Sequence, residues 1–205
     1  MRMLAIETAS EACSVALFDG SALIAHDHRI MARGHAEALV PMIAALPDKG
    51  RSNRILVSLG PGSFTGVRIG IAAARALGFA WGAEVLGYPT LALVAAQAQS
   101  SEPVTVCMNG GHGEWFVQDF ADGASLGALQ SLAPDAAKLV GAQPLIAGNR
   151  AEQFAALLEA EHTVLDLMPD ARQINRVPEA MLSANLAPIY GRGPDATPMA
   201  GRPAA

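Results

Sequence analysis

The segment best suited to hold a ligand is Gly60-Pro61-Gly62-Ser63-Phe64-Thr65-Gly66, which follows an apolar run and opens a long helical pattern. A glycine-rich turn at a helix start presents free backbone N–H groups, and these suit an anion. The phosphate-loop pattern G-x-x-x-x-G-K-[ST] fails here for want of a lysine. The dinucleotide pattern G-x-G-x-x-G fails because Thr65 stands where the third glycine belongs. A tight turn with Ser63 or Thr65 as N-cap is the stronger reading, and an anion or nucleotide contact through Gly60 to Thr65 stays open. The five histidines, at 26, 28, 35, 112 and 162, show no i, i+4 pair on a helix. His26 and His28 share a strand face without a cysteine or carboxylate pair to complete a metal set, so no metal is expected. Ser14, Ser58 and Ser63 carry no His/Asp pattern of a triad. Cys13 and Cys107 lie in apolar runs and read as buried, reduced thiols.

The elements that must position these residues come in a repeating order. Strands are expected at Met3–Thr8, Ala12–Phe18 and Ala22–Ile30, with an Asp19-Gly20 hairpin signal between the last two. A helix near His35–Leu46, a strand at Arg54–Leu59, the long helix to about Gly82, a short strand at Glu84–Leu86 and a helix at Thr90–Gln99 follow. The second half repeats the theme. Strands are expected at Val104–Met108, Glu114–Phe120 and Ser125–Leu132, then helix and strand alternate through Pro134–Val140, Pro144–Ile146, Ala151–Ala160 and Thr163–Leu165. Asp19-Gly20 and Asp122-Gly123 lie 103 residues apart, which fits a duplicated half-chain. The fold class is therefore α/β, with two lobes that each hold a mixed sheet under helices. The expected division is a lobe over 1–100, a smaller, reduced lobe over 101–190, and an irregular tail over 191–205.

Two helices have more apolar surface than one sheet can cover. Gly66, Gly70, Ala74, Gly78 and Gly82 recur every four residues and form a flat ridge that admits a close neighbour. Each interior glycine costs about 0.8–1.0 kcal/mol of helix propensity. Val67, Ile69, Ile71, Leu77, Phe79 and Trp81 lie on the other surfaces, and Arg68 and Arg75 are the only charges. Such a helix needs a cover on more than one side. In the preceding helix, Leu39, Met42, Ile43 and Leu46 form one stripe, and Ala36, Val40 and Ala44 a second. Pro41 removes one donor inside it, and His35 and Glu37 stand at its start. Whether the second cover is intramolecular or a partner is open on composition alone.

Bulk composition narrows the function. The chain has 205 residues, 51% of them apolar and 16% charged, with a net charge of −5 and only two lysines. A protein that grips RNA by itself needs a basic footprint, so any RNA role is expected to be indirect. No secretory leader or membrane span is expected, because Glu7 and Glu11 interrupt the N-terminal apolar stretch, Arg68 and Arg75 interrupt the richest later one, Val67–Trp81, and no segment is long and apolar enough to span a bilayer; the cytoplasm is the expected compartment.

The run Leu59-Gly60-Pro61-Gly62-Ser63-Phe64-Thr65-Gly66-Val67-Arg68-Ile69-Gly70 resembles the signature of the TsaB (YeaZ) family. The likeness continues through Ala74-Arg75-Ala76-Leu77 to Val85-Leu86-Gly87. It includes Leu4 to Ser10, Cys13 to Leu17 and His35 to Ile43 upstream, so it covers about the first 95 residues in order. The second half is similar only loosely. Asn109-Gly110-Gly111 stands where the family often has Asp-Ala-Arg, and Gly191 departs from its Pro-x-Tyr-Leu-Arg ending.

The resemblance implies a two-lobed actin-like, ribonuclease-H-like fold. It also implies kinship to TsaD, the enzyme that transfers threonylcarbamoyl to adenosine in tRNA. TsaD-like enzymes hold a metal with a His-x-x-x-His pair, and this chain reads Gly87-Tyr88-Pro89-Thr90-Leu91-Ala92-Leu93 there. The Asp-x-Gly-Thr phosphate loop of actin-like ATPases is replaced by Glu7-Thr8-Ala9-Ser10. The resemblance thus implies a retained fold with no catalytic residues, no metal and no cofactor. It implies a TsaD-like partner, a TsaE-like ATPase in the same assembly, a homodimer when alone, and tRNA met only indirectly. The partner surface it implies comprises His35, Glu37, Leu39, Met42, Gly66, Arg68, Gly70, Ala74, Arg75 and Gly78. The competing readings are an autonomous ATPase, kinase or metallopeptidase of the same superfamily, and a nucleotide-binding regulator using the Gly60–Gly66 loop.

Overall fold

The structure, a computed structural model, describes residues 1–191. Most of the expected tail, 192–205, lies outside the described residues. The first half supplies β1 (Arg2–Glu7), β2 (Ala12–Asp19), β3 (Ala22–Ile30), α1 (His35–Ala45), β4 (Arg54–Ser58), α2 (Phe64–Trp81), β5 (Glu84–Tyr88) and α3 (Thr90–Ala98). Its sheet runs β3-β2-β1-β4-β5, antiparallel across the two hairpins and parallel from β1 to β5. The second half supplies β6 (Val104–Gly111), β7 (Glu114–Ala121), β8 (Ala124–Ser125), β9 (Gln130–Leu132), α4 (Pro134–Val140), β10 (Leu145–Ala147), α5 (Ala151–Ala155) and β11 (Thr163–Leu165). Its sheet runs β11-β10-β6-β7-β8, with β9 also on β7. The two sheets share one topology, as the repeated order of strands, helices and Asp-Gly turns implies.

The layers follow from which face each helix covers. Leu39, Met42 and Ile43 of α1 and Val67, Ile71 and Ala74 of α2 cover one side of the first sheet, against Leu4, Ile6, Val15 and Val57. Helix α3 lies between the sheets, with Leu93 in the first sheet's far core and Leu91, Ala92 and Val94 against Val104, Val106 and Phe120 of the second. Helices α4 and α5 cover the outer side of the second sheet through Ala137, Ala151 and Phe154. A helix packed on two faces must be apolar on both, which explains the run Thr90–Val94, buried throughout.

Three expectations change. The single strand over Ser125–Leu132 is two short strands, because exposed residues 126–128, including Gly127, leave the sheet between them. The helix expected over Ala151–Ala160 ends at Ala155. The chain also does not stay in the second lobe to residue 190. Ala171, Ile174 and Val177 pack with Met3, Ala5, Phe18 and Tyr88. Ser183 exchanges backbone hydrogen bonds of 2.8 and 2.9 Å with Gly87, and Ile189 N–H donates to the Leu59 carbonyl at 2.7 Å. These residues cover the first sheet's far face and its β5 edge, so the second lobe ends before them.

Candidate functional site

The Gly60–Gly66 loop is filled by its own chain. Ser63 N–H donates to the Ala9 carbonyl at 2.6 Å, and Thr90 N–H to the Gly60 carbonyl at 2.8 Å. Gly60 N–H donates to Ser58 Oγ at 3.2 Å. The Thr8 hydroxyl donates to the Gly66 carbonyl at 2.8 Å, and Ser63 Oγ accepts Gly66 N–H at 3.2 Å as the N-cap of α2. A Cβ on Gly62 would collide with the Ala9 carbonyl, and one on Gly66 with the Thr8 carbonyl. The turn therefore docks directly onto the end of β1, which is why glycine stands at both positions. The N-cap reading accounts for Ser63; Phe64 and Thr65 stay exposed and Pro61 is buried.

Beneath the loop lies the carboxylate that stands at the degraded phosphate-loop position. Glu7 is fully buried; its Oε1 accepts Ala9 N–H at 2.7 Å, and its Oε2 lies 3.3 Å from the Tyr88 hydroxyl. That hydroxyl donates to the Ile6 carbonyl at 2.9 Å. Burial pushes the Glu7 carboxyl up to about 7, against smaller opposing effects of the Ala9, Ser58 and Tyr88 hydrogen bonds. The folded value exceeds the unfolded one, so the folded protein holds the proton more tightly. Stability from this group is full below about pH 4.5 and falls as pH rises toward 7. Glu7→Gln is expected to flatten the pH dependence of the melting temperature between those values and to raise it relative to the parent above pH 7. A steeper slope in the variant would contradict this.

The ridge faces inward, which corrects the expected partner surface. Gly66, Gly70, Ala74 and Gly78 are buried on α2. A Cβ on Gly70 would meet the Thr8 hydroxyl, and one on Gly78 the Val85 side chain. The close neighbour that the small residues admit is the chain's own β1, β4 and β5. Leu39 and Met42 are likewise core residues of the first lobe. His35 is half-buried, with Nε2 2.9 Å from the Ser10 carbonyl, so it serves the β1–β2 turn. Of the expected surface, Glu37, Arg68 and Arg75 are exposed.

Among the described residues, nothing covers the opposite sides of both helices. On α1, Ala36, Val40, Pro41, Ala44 and Ala45 are exposed, Val40 at 62%. On α2, Ala72, Ala76, Phe79 and Ala80 are exposed, Phe79 at 94%. The two helices are in contact and share the core of the first lobe, so these residues form neighbouring apolar faces. The α2 face is bordered by the returning C-terminal segment. Arg75 donates to the Leu186 carbonyl, and Arg68 donates to the Tyr190 hydroxyl at 2.9 and 3.2 Å. The Arg68 guanidinium also lies 3.4 Å over the Phe64 ring, which stacks on Tyr190 at 5.2 Å. Tyr190 stands at this site although the sequence offered it only as part of a terminal motif.

Among the described residues, no three His, Cys, Asp or Glu side chains gather where they could hold a metal, and no helix is long and apolar enough to cross a membrane.

Residues 28–159 match the family described as TsaD: tRNA N6-adenosine threonylcarbamoyltransferase. The tRNA threonylcarbamoyladenosine biosynthesis protein TsaB of Escherichia coli is 45% identical over 48% of this chain. YeaZ from Pseudomonas aeruginosa superposes with a TM-score of 0.77 at 27% identity, over 92% of this chain and 99% of that one. The chain belongs to the TsaB (YeaZ) family. The match to E. coli TsaB spans 44% of that protein's length, whereas an uncharacterised Mycobacterium bovis protein aligns at 31% identity over 97% of this chain and 95% of its own. Membership in the TsaB family fits the two-lobed actin-like fold, and the signature loop is, in this TsaB-family chain, the clasp that fixes the first turn of α2 to β1.

Proposed function

We propose that this protein is a non-catalytic subunit that binds a TsaD-like threonylcarbamoyltransferase and activates it for N6-threonylcarbamoyladenosine formation in tRNA. The observation that carries this is the pair of apolar faces on α1 and α2 that no described residue covers, centred on Val40, Ala44, Ala76 and Phe79. An apolar patch on a rigid helix pair is the usual mark of a protein partner. Membership in the TsaB family supports a TsaD-like protein as that partner, and two copies of the same face would give a homodimer when the partner is absent. A TsaE-like ATPase would join the same assembly, in the cytoplasm.

The rest of the molecule favours a supporting role. The loop that might have cradled a phosphate is occupied by the Ala9 carbonyl and capped by Ser63. The carboxyl at the end of β1 is buried and hydrogen-bonded rather than open to a ligand. At a net charge of −5, the protein alone is expected to bind tRNA very weakly at physiological salt, and anisotropy titration checks this. The decisive assay adds the chain to a TsaD-like enzyme with tRNA and threonylcarbamoyl donor. Modified adenosine should rise with the chain and should be absent when the chain replaces the enzyme. No rise, or product formed by the chain alone, would overturn the reading.

A further inference from the structure

The two topologically equivalent halves meet at equivalent places. Residues 8–11 join β1 to β2 in the first half, and the end of β6 at Asn109 opens the matching hairpin in the second. Asn149 lies in the turn from β10 to α5, the counterpart of the glycine-rich turn from β4 to α2. These are the carboxyl ends of parallel strands, where open α/β sheets hold ligands.

Three side chains converge there. Asn109 Nδ2 donates to Glu11 Oε1 at 2.9 Å, and Asn149 Nδ2 donates to Glu11 Oε2 at 3.3 Å. Each carboxamide is oriented by its other end. Asn149 Oδ1 accepts Asn109 N–H at 2.8 Å, and Asn109 Oδ1 accepts Gly111 N–H at 3.1 Å. With both oxygens committed to backbone donors, both NH2 groups point at one acceptor. The backbone of Glu11 is held as well, since its carbonyl accepts Met31 N–H at 2.7 Å. The second lobe thus presents a preorganised two-donor receptor, and the first lobe supplies the anion. Each carboxylate oxygen receives one donor, and all three side chains are half-buried, where such bonds are stronger than in open water.

We propose that Asn109 and Asn149 form a binding site for a small carboxylate, which the chain fills with its own Glu11. The lobes are then held together by a tethered ligand, and no external one is needed to close them. Removing the tether empties the site without removing the receptor.

The test is chemical rescue. Glu11→Ala is expected to lower the melting temperature by about 4–8 °C in sodium chloride, the loss of charge-assisted hydrogen bonds in a protein of this size. Sodium acetate at the same ionic strength should recover at least half of that loss, saturating with concentration. The parent protein, whose site is filled, should show no specific acetate gain. Adding Asn149→Ala to the Glu11→Ala chain should abolish the recovery. If Glu11→Ala does not fold in chloride, refolding yield in acetate against chloride gives the same comparison. Equal acetate effects on parent and variant, or none on the variant, would overturn the proposal.

Discussion

Replacing Gly66 with alanine is expected to lower the melting temperature by about 6–12 °C. The added Cβ would meet the Thr8 carbonyl oxygen, a backbone atom that no rotamer change can move. Overpacking of a rigid core costs about 1–3 kcal/mol, and a backbone neighbour puts this site at the upper end. In a protein of this size each kcal/mol shifts the midpoint by about 2–4 °C. Relief would require α2 to lift from β1, and that would also strain the Thr8 hydroxyl bond to the Gly66 carbonyl and the Ser63 cap. Ala72→Ser, on the exposed side of the same helix, is the control and should move the midpoint by less than about 2 °C. Thermal unfolding followed by circular dichroism separates the two. A similar small shift for both would mean that the ridge does not face the sheet.

The second large effect concerns binding. Phe79→Asp is expected to weaken association with a TsaD-like partner by at least about thirtyfold, roughly 2 kcal/mol, while leaving the melting temperature nearly unchanged. Phe79 is 94% exposed in the isolated chain, so its ring contributes little to folding. At the centre of a buried interface the same position would hold an unpaired carboxylate, which is costly to desolvate. Isothermal titration of the partner into parent and variant, beside their melting curves, reads both quantities. Unchanged affinity would remove Phe79 from the interface.

The opposite outcomes expected at Gly66 and Phe79 mark what residue types alone could and could not reveal about α2. The four-residue spacing of Gly66, Gly70, Ala74 and Gly78 announced a close approach, and the apolar surroundings announced two covers. Neither named which cover was which, because side-chain size is the same whether the neighbour is a sheet or a second protein. Tertiary packing decided it, with Thr8 and Val85 pressed against the ridge. The duplicated topology was legible, since Asp-Gly turns and alternating patterns are local signals. The return of residues 171–190 to the first sheet was not. That stretch holds few consecutive apolar residues, and it is fixed by scattered side chains such as Ile174 and Val177 and by backbone bonds to Gly87 and Leu59. Glu7 was visible as a carboxylate in an apolar strand. Its partners, Tyr88 and the Ala9 N–H, lie on another strand and a turn, and only the fold brings them together.

The measurement that bears most directly on the docking face is hydrogen exchange of the chain with and without a TsaD-like partner. Added protection is expected to be confined to peptides covering His35–Ala45 and Phe64–Trp81, with the strands and helices of Val104–Leu165 exchanging as in the free protein. Added protection centred on the second lobe, with α1 and α2 unchanged, would contradict it.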